Sequence, residues 1–447
     1  MYVEHRRGIA ALCGFVALTL AGLAWAGPKI ESWSTDNGAR VLFVAAPDLP
    51  ILDVRIVFDA GSARDGERNG LASITAGMLT QGAGEWDADT VAERLESVGA
   101  ELSVGALRDM AFVSMRSLTE PQPMDTALAT MAQVVAAPRF QQADFDRVRE
   151  NTLVALRQDD QDPGTVGKKE VYLRIYGDHP YAADPSGTTA SVSALTPRDL
   201  TEFHRRFYVA SNAVVAIVGD LTRAEAEEVA ALVTAPLPSG EQAPPVPPVR
   251  DLADAQLEEL EFPSTQAHVY AGQPGMSRND PDYFALYVGN HILGGSGLVS
   301  LLMEEVREKR GLSYSVYSYF LPMAERGPFL MGLQTKNEQA AEAREVLMQT
   351  LRRFREDGPT SAELEAAVKN ITGGFPLRIA SNANIVQYLA MIGFYGLPLD
   401  YLDRFNDRVS AVSAEDIRDA FTRRVDPDRL ATVIVGPREG RVAEVAD

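Results

Sequence analysis

The chain has 447 residues, enough for two or three domains, and its 46% apolar and 8% aromatic content can fill real cores, which excludes general disorder. Acidic residues outnumber basic ones 62 to 42, and the resulting formal charge of -20 repels phosphate backbones and argues against a nucleic-acid partner. The single cysteine, Cys13, falls in the leader described next, so the mature chain is expected to form no disulfide and no thiolate metal site.

At the N-terminus, Arg6 and Arg7 precede an uncharged stretch, Gly8 to Pro28, that contains Ala24-Trp25-Ala26 near its end. Small residues stand at the two positions a signal peptidase reads, so residues 1–26 are expected to be a signal peptide, cleaved before Gly27. The mature protein is then exported, and periplasmic if the source is a Gram-negative bacterium. An uncleaved anchor is the competing reading, because 21 uncharged residues can just span a bilayer.

Further along, Leu52, Val54, Ile56 and Phe58 alternate with polar or smaller residues, which predicts a strand with one buried face. Leu71, Ile74, Met78 and Leu79 recur at helical spacing. The stretch from Pro236 to Pro248 holds six prolines in thirteen residues and predicts an extended, semi-rigid linker. It separates an N-terminal domain (29–235) from a C-terminal domain (251–447), with residues 236–250 between them. The two domains end alike. Ser193 opens a helical stretch with Arg205-Arg206, then the strand Ala213 to Val218 and Gly219; Ser410 opens another with Arg423-Arg424, then Leu430 to Val435 and Gly436. Serine to glycine spans 26 residues in both, which favours duplication. Thr360-Ser-Ala-Glu363 reads as a capping box after Gly358-Pro359. Runs of strands separated by long helices predict an α+β fold, two similar domains that each pack helices on a largely antiparallel sheet.

Gly61-Ser62 and the run Asn69-Gly-Leu-Ala-Ser-Ile-Thr-Ala-Gly-Met-Leu-Thr-Gln-Gly82 resemble the zinc-site segment of pitrilysin/insulinase-type metallopeptidases, a group that includes the mitochondrial processing peptidases and the respiratory bc1 core subunits. In active members this helix carries His-x-x-Glu-His, two imidazoles that grip zinc and a glutamate that activates its water. On this sequence those places fall at Ser73, Ala76 and Gly77, and none supplies the required group. The third ligand of the family falls in a stretch resembling Phe145 to Leu156, where Val154-Ala155 replace the acidic pair and Glu150 comes three or more places early. Independently of that alignment, the mature chain has four histidines, the closest two 23 residues apart, so no helical histidine pair exists. Ser73 has no lysine or histidine one turn away and reads as a space-filling residue, since a serine without a base is inert.

The resemblance runs from about Ile30 to Gly436, through His179-Pro-Tyr181 and Gly187-Thr188, and is strongest from Leu293 to Tyr317. In active members or their partner chains, an arginine and a tyrosine seven residues apart complete the site from the opposite half; they match Arg307 and Tyr314. A guanidinium can fork onto a substrate carbonyl, and a phenol can donate to the oxyanion. Read without the family, Arg307 is a helix arginine paired with Glu304, and Tyr314 is an aromatic on a strand beside Val316 and Ser318. Gly294, Gly295 and Gly297 suggest a tight turn at a helix start, because no P-loop lysine follows. The resemblance implies one subunit of a two-chain zinc peptidase acting on unfolded peptides. Such a chain holds no metal itself, and a homologous partner, in a heterodimer or heterotetramer, brings the zinc. The alternatives are a purely structural protein and a peptide-binding module with no catalytic partner.

Overall fold

The computed structural model describes residues 28–437; the expected leader, 1–26, lies outside that range. Two sheets form the frame. The first contains β1 (Glu31–Ser34), β2 (Arg40–Ala45), β3 (Ile51–Phe58), β4 (Glu101–Ala106), β5 (Ala111–Leu118) and β6 (Ala213–Gly219), in the order β1-β2-β6-β3-β5-β4. The second contains β7 (Gln256–Glu261), β8 (Gln266–Pro274), β9 (Ser313–Phe320), β10 (Pro328–Lys336) and β11 (Ala431–Gly436), in the order β7-β11-β8-β10-β9. Helices that position the site or join the halves are α1 (Leu71–Met78), α2 (Gln142–Asp159), α3 (Pro163–Tyr176), α4 (Pro197–Phe207), α5 (Ser361–Arg378), α6 (Asn382–Phe394) and α7 (Ala414–Arg424).

The duplication expected from the sequence reappears in the topology. β6 inserts parallel to β2 and antiparallel to β3, and β11 inserts parallel to β7 and antiparallel to β8. The other pairings among these eleven strands are antiparallel, which makes both sheets largely antiparallel. The helix before each inserted strand, α4 or α7, starts at a capping box, from Thr196 with Asp199 and from Ser413 with Asp416. The box at Thr360 and Glu363 opens α5 as the sequence predicts.

One expectation needs correcting. β3 has two buried faces, not one. Leu52, Val54, Ile56 and Phe58 enter the core of the first half, while Val57 on the opposite face joins Leu42, Val44, Val214, Ala216 and Val218 against Ile385, Val386 and Leu389 of α6. The covering helix comes from the other half of the chain. The exchange is reciprocal: α3, from the first half, packs Val171, Tyr172 and Ile175 against Tyr270, Leu330, Val433 and Val435 of the second sheet. A glycine sits at each contact. A Cβ on Gly167 would lie 2.5 Å from Tyr270 Cε2, and one on Gly393 would lie 2.4 Å from Val214 Cγ1, so only hydrogen lets the helices come this close.

The proline-rich segment adopts no helix or strand, as expected, but it is more than a spacer. Val246 and Val249 are buried in the cluster around α3, and Pro247 offers its carbonyl oxygen to the His179 ring nitrogen at 2.7 Å. A second tie is Asp109, buried in the turn between β4 and β5. Its carboxylate accepts from the Tyr181 hydroxyl (2.5 Å), from the Tyr395 hydroxyl (2.9 Å) and from the Ala324 N–H (2.7 Å). One charge thus holds two segments of the first half and two of the second.

Candidate functional site

Helix α1 begins after Gly70, whose φ of 94° favours glycine. Its first N–H groups are satisfied by a buried carboxylate, since the Gly70 and Ala72 amides each donate to Asp65 at 2.8 Å. Burial raises the Asp65 carboxyl to about 7, although these backbone hydrogen bonds oppose the shift. Leu71, Ile74 and Met78 anchor the helix in the core. Ser73 and Gly77, one turn apart, are half-exposed on another face, and Ala76 is fully buried. A Cβ at Gly77 would meet no atom within 4 Å, so there is room at this place for a larger side chain but no donor.

The neighbouring helix α2 presents Val154 and Ala155 to solvent, and Glu150 is exposed and ion-paired with Arg157 at 3.4 Å. None of His179, His204, His268 and His291 lies on α1 or α2. His204 is committed to the Val135 carbonyl at 2.8 Å, and burial lowers its pKa. Among the described residues no group of three or more His, Cys, Asp or Glu side chains could hold a metal ion. A hydroxyl, a methyl and a hydrogen in place of two imidazoles and a carboxylate do not fit zinc.

Arg307 and Tyr314 come together. The guanidinium carbon of Arg307 lies 4.8 Å from the centroid of the Tyr314 ring, in cation–π contact, and Tyr314 is 84% exposed. The backbone explains this placement. β9 pairs Ser315 with Gln334 and Ser313 with Thr335, so Tyr314 is the extra residue of a β-bulge. Ser313 is buried and pins the bulge, its hydroxyl lying 2.6 Å from both the Ser315 and Gln334 carbonyl oxygens. Val316 and Ser318 then point inward while Tyr314 points out. The reading of Tyr314 as a regular member of that face is thereby corrected.

Arg307 lies in the wide helical turn Met303–Glu308, where the Lys309 N–H reaches the Glu304 carbonyl five residues back. Its expected pairing with Glu304 is absent, because Glu304 pairs with Lys309 at 2.8 Å. The turn is anchored instead by buried Glu305, which binds Arg310 (2.7 Å), Arg353 (2.8 Å) and Lys309 (3.0 Å). Burial works against ionisation of Glu305, but hydrogen bonds from Arg310, Arg353 and Lys309 outweigh it and hold the carboxyl near 2. With those cations held on Glu305, Arg307 is left for the open side. No hydrogen bond, ion pair or ring contact joins Ser73 or Gly77 to Arg307 or Tyr314 among the described residues; the two sets belong to different halves.

The glycine run before Arg307 departs from the expected tight turn at a helix start: Gly294 and Gly295 end the wide helical turn His291–Gly295, and Gly297 opens the short turn Gly297–Val299. A Cβ on Gly294 would lie 2.5 Å from the Ser318 N–H nitrogen, so glycine lets this segment lie against β9. Beyond it, Leu298 and Val299 are exposed, Val299 by 83%. The sequence reading missed this apolar pair, whose only signal was two large aliphatic residues inside a glycine-rich turn.

Residues 40–188 match the family model described as insulinase (peptidase family M16), and residues 194–371 match the peptidase M16 inactive domain. The crystal structure of a peptidase M16 inactive domain from Pseudomonas fluorescens is 39% identical, with a TM-score of 0.89, and the match covers 92% of this chain and 99% of that one. An uncharacterized zinc protease of Streptomyces coelicolor is 27% identical over 384 residues, 84% of this chain and 82% of its own. A non-peptidase homolog, YmxG, of Helicobacter pylori is 27% identical over 397 residues, 88% of this chain and 90% of its own.

Proposed function

The chain belongs to the M16 (insulinase) peptidase family as an inactive-type member, and from that premise we propose that it is the substrate-contacting, non-catalytic subunit of an exported two-chain peptidase. The observation that carries this reading is the Arg307–Tyr314 pair, a half-buried guanidinium in cation–π contact with a solvent-exposed phenol, in a chain whose α1 lacks the imidazoles and carboxylate of a zinc site. A homologous partner bearing His-x-x-Glu-His would supply the metal and its activated water. This chain would hold an unfolded peptide: the Arg307 guanidinium would fork onto a backbone carbonyl, and the Tyr314 phenol would donate a hydrogen bond to the oxygen as it gains negative charge. The turn anchored by Glu305 and the bulge pinned by Ser313 position these two groups before substrate arrives, which is the condition for such donors to act on a transition state.

The test is reconstitution. Co-expressed with a family member whose zinc motif is intact, the chain should co-purify, and peptide hydrolysis should appear in the mixture and in neither chain alone. A mixture no more active than the zinc-bearing chain would remove the role. The likeness to a non-peptidase homolog favours a second reading, a peptide-binding or structural protein without a catalytic partner, and that outcome would support it. Export rests on Arg6, Arg7 and Ala24-Trp25-Ala26. Mass spectrometry of the native protein should find its N-terminus at Gly27 or within two residues of it; full-length chain confined to membranes would refute cleavage.

A further inference from the structure

A cavity of about 630 Å³ lies where the two halves meet, among β3, the turn between β4 and β5, the loop after β9, and α6. Its electrostatics differ from those of the rest of the molecule. Four arginines line it (Arg55, Arg108, Arg278 and Arg378) against one acid, Asp109, an excess of positive charge in a chain of formal charge -20. Asp109 forms no ion pair with any of them among the described residues; its carboxylate accepts from Tyr181, Tyr395 and the Ala324 amide instead.

None of the four is ion-paired among the described residues. Arg55 donates to the Ser114 hydroxyl at 2.6 Å and lies 3.9 Å over the Phe112 ring. Arg278 donates to the Tyr283 hydroxyl at 3.3 Å, and its Nε–H is buried with no partner. Arg108 is held by the Tyr181 and Ala183 carbonyls, and Arg378 by the Tyr287 hydroxyl. Of the other half-buried arginines, Arg64 pairs with Asp59 and Arg424 with Asp280 and Asp282, while Arg40 and Arg94 each donate singly to a neutral oxygen, of Gly393 and Thr130; the cavity differs in gathering several such cations in one place. Burial without a counter-charge lowers Arg55 to about 10. Half-buried cations without carboxylates are unfavourable unless something negative arrives. The remaining wall is mainly apolar, with Met110 and Met323 buried, Met391 half-buried and Leu107 and Leu321 exposed at the edge; Asn384 and Gln387 are its polar amides. The volume is that of a small-ligand site.

We propose that this cavity binds a carboxylate carried on an apolar body, with Arg55 and Arg278 receiving the charge and the methionines and leucines the hydrocarbon. A free medium-chain fatty acid and the C-terminus of an apolar peptide share that chemistry. The site is distinct from Arg307 and Tyr314 and needs no partner chain, so its test is independent of the peptidase reading.

The experiment is calorimetric titration of the purified mature chain with octanoate, octanamide, N-acetyl-Leu-Leu-Phe and the C-terminal amide of that peptide. At least one acid should bind saturably, and its amide should bind at least tenfold more weakly. Arg55→Met and Arg278→Met should each weaken the acid roughly ten- to a hundredfold and leave the amide unchanged, as loss of a hydrogen bond to a charged group does. Melting curves check folding, and if either variant fails to fold, Arg378→Met removes an exposed arginine at the cavity and should weaken the acid as well. Octanoate alone binding would identify the fatty acid, and the peptide acid alone a chain terminus. Equal binding of acid and amide, unchanged binding in the folded arginine variants, or no saturable binding of either acid would overturn the proposal.

Discussion

Replacing Gly167 with alanine would place a methyl carbon 2.5 Å from Tyr270 Cε2, 2.8 Å from its Cδ2 and 3.0 Å from Val435 Cγ2. The ring cannot simply swing away, because the Tyr270 hydroxyl donates to the Gly164 carbonyl at 3.0 Å on the same helix. Overpacking of this kind costs about 1–3 kcal/mol. Displacing the tyrosine forfeits about 1 kcal/mol of hydrogen bond, and replacing a helical glycine by alanine returns about 1 kcal/mol. The net expectation for Gly167→Ala is a loss of about 1–3 kcal/mol. Gly373, in α5, is the control, since a Cβ there meets nothing within 4 Å and Gly373→Ala keeps only the propensity gain. Urea denaturation followed by far-ultraviolet circular dichroism gives both values. The variants should differ by about 2–4 kcal/mol in opposite directions from wild type. Gly167→Ala as stable as Gly373→Ala would refute the close packing of α3 on the second sheet, and with it the account of how the halves are joined.

Asp109→Asn keeps the shape but removes the charge that binds two tyrosines and an amide across the halves, so it should lower the unfolding free energy by about 2–4 kcal/mol in the same assay; a change below about 0.5 kcal/mol would mean that the carboxylate is not the clamp. Asp65, held near pH 7 by burial against about 4 when unfolded, keeps its proton in the folded state over that window after the unfolded chain has released it. This group therefore lowers stability as pH rises from about 4 to 7, and Asp65→Asn should remove that part of the slope in urea titrations at pH 5, 6 and 7; parallel wild-type and variant profiles would contradict it.

The fold was legible in the sequence where the signal is local. The alternation of Leu52 to Phe58, the capping box at Thr360 and the matched endings at Gly219 and Gly436 all mark elements that the structure contains. What periodicity could not reveal is the sheet on which a helix packs. The pattern of α6 shows an apolar face, but nothing in it says that the face lies on β2, β3 and β6, and so β3 was expected to be buried on one side only. The pairing of Arg307 with Tyr314 came from the resemblance, whereas its cause was hidden. A β-bulge depends on how Ser313 meets Gln334 across the strand pair, a non-local match that leaves no local pattern. Arg310 illustrates the same limit. Three residues from Arg307, it is exposed yet bound to buried Glu305, a tie that no local pattern signals, so Glu308, exposed and without an ion pair among the described residues, is the control in this turn.

The central claim is that Arg307 and Tyr314 act on a peptide bound between this chain and a zinc-bearing partner. Tyr314→Phe tests it most directly, because it removes one hydroxyl and retains the ring on which Arg307 stacks. Measured in the reconstituted complex, turnover should fall on the order of 10²-fold with folding, association and KM little changed, as loss of one oxyanion donor does. Glu308→Gln, in the same turn, should leave turnover at the wild-type value. Wild-type turnover in Tyr314→Phe would contradict the claim and leave the chain a scaffold.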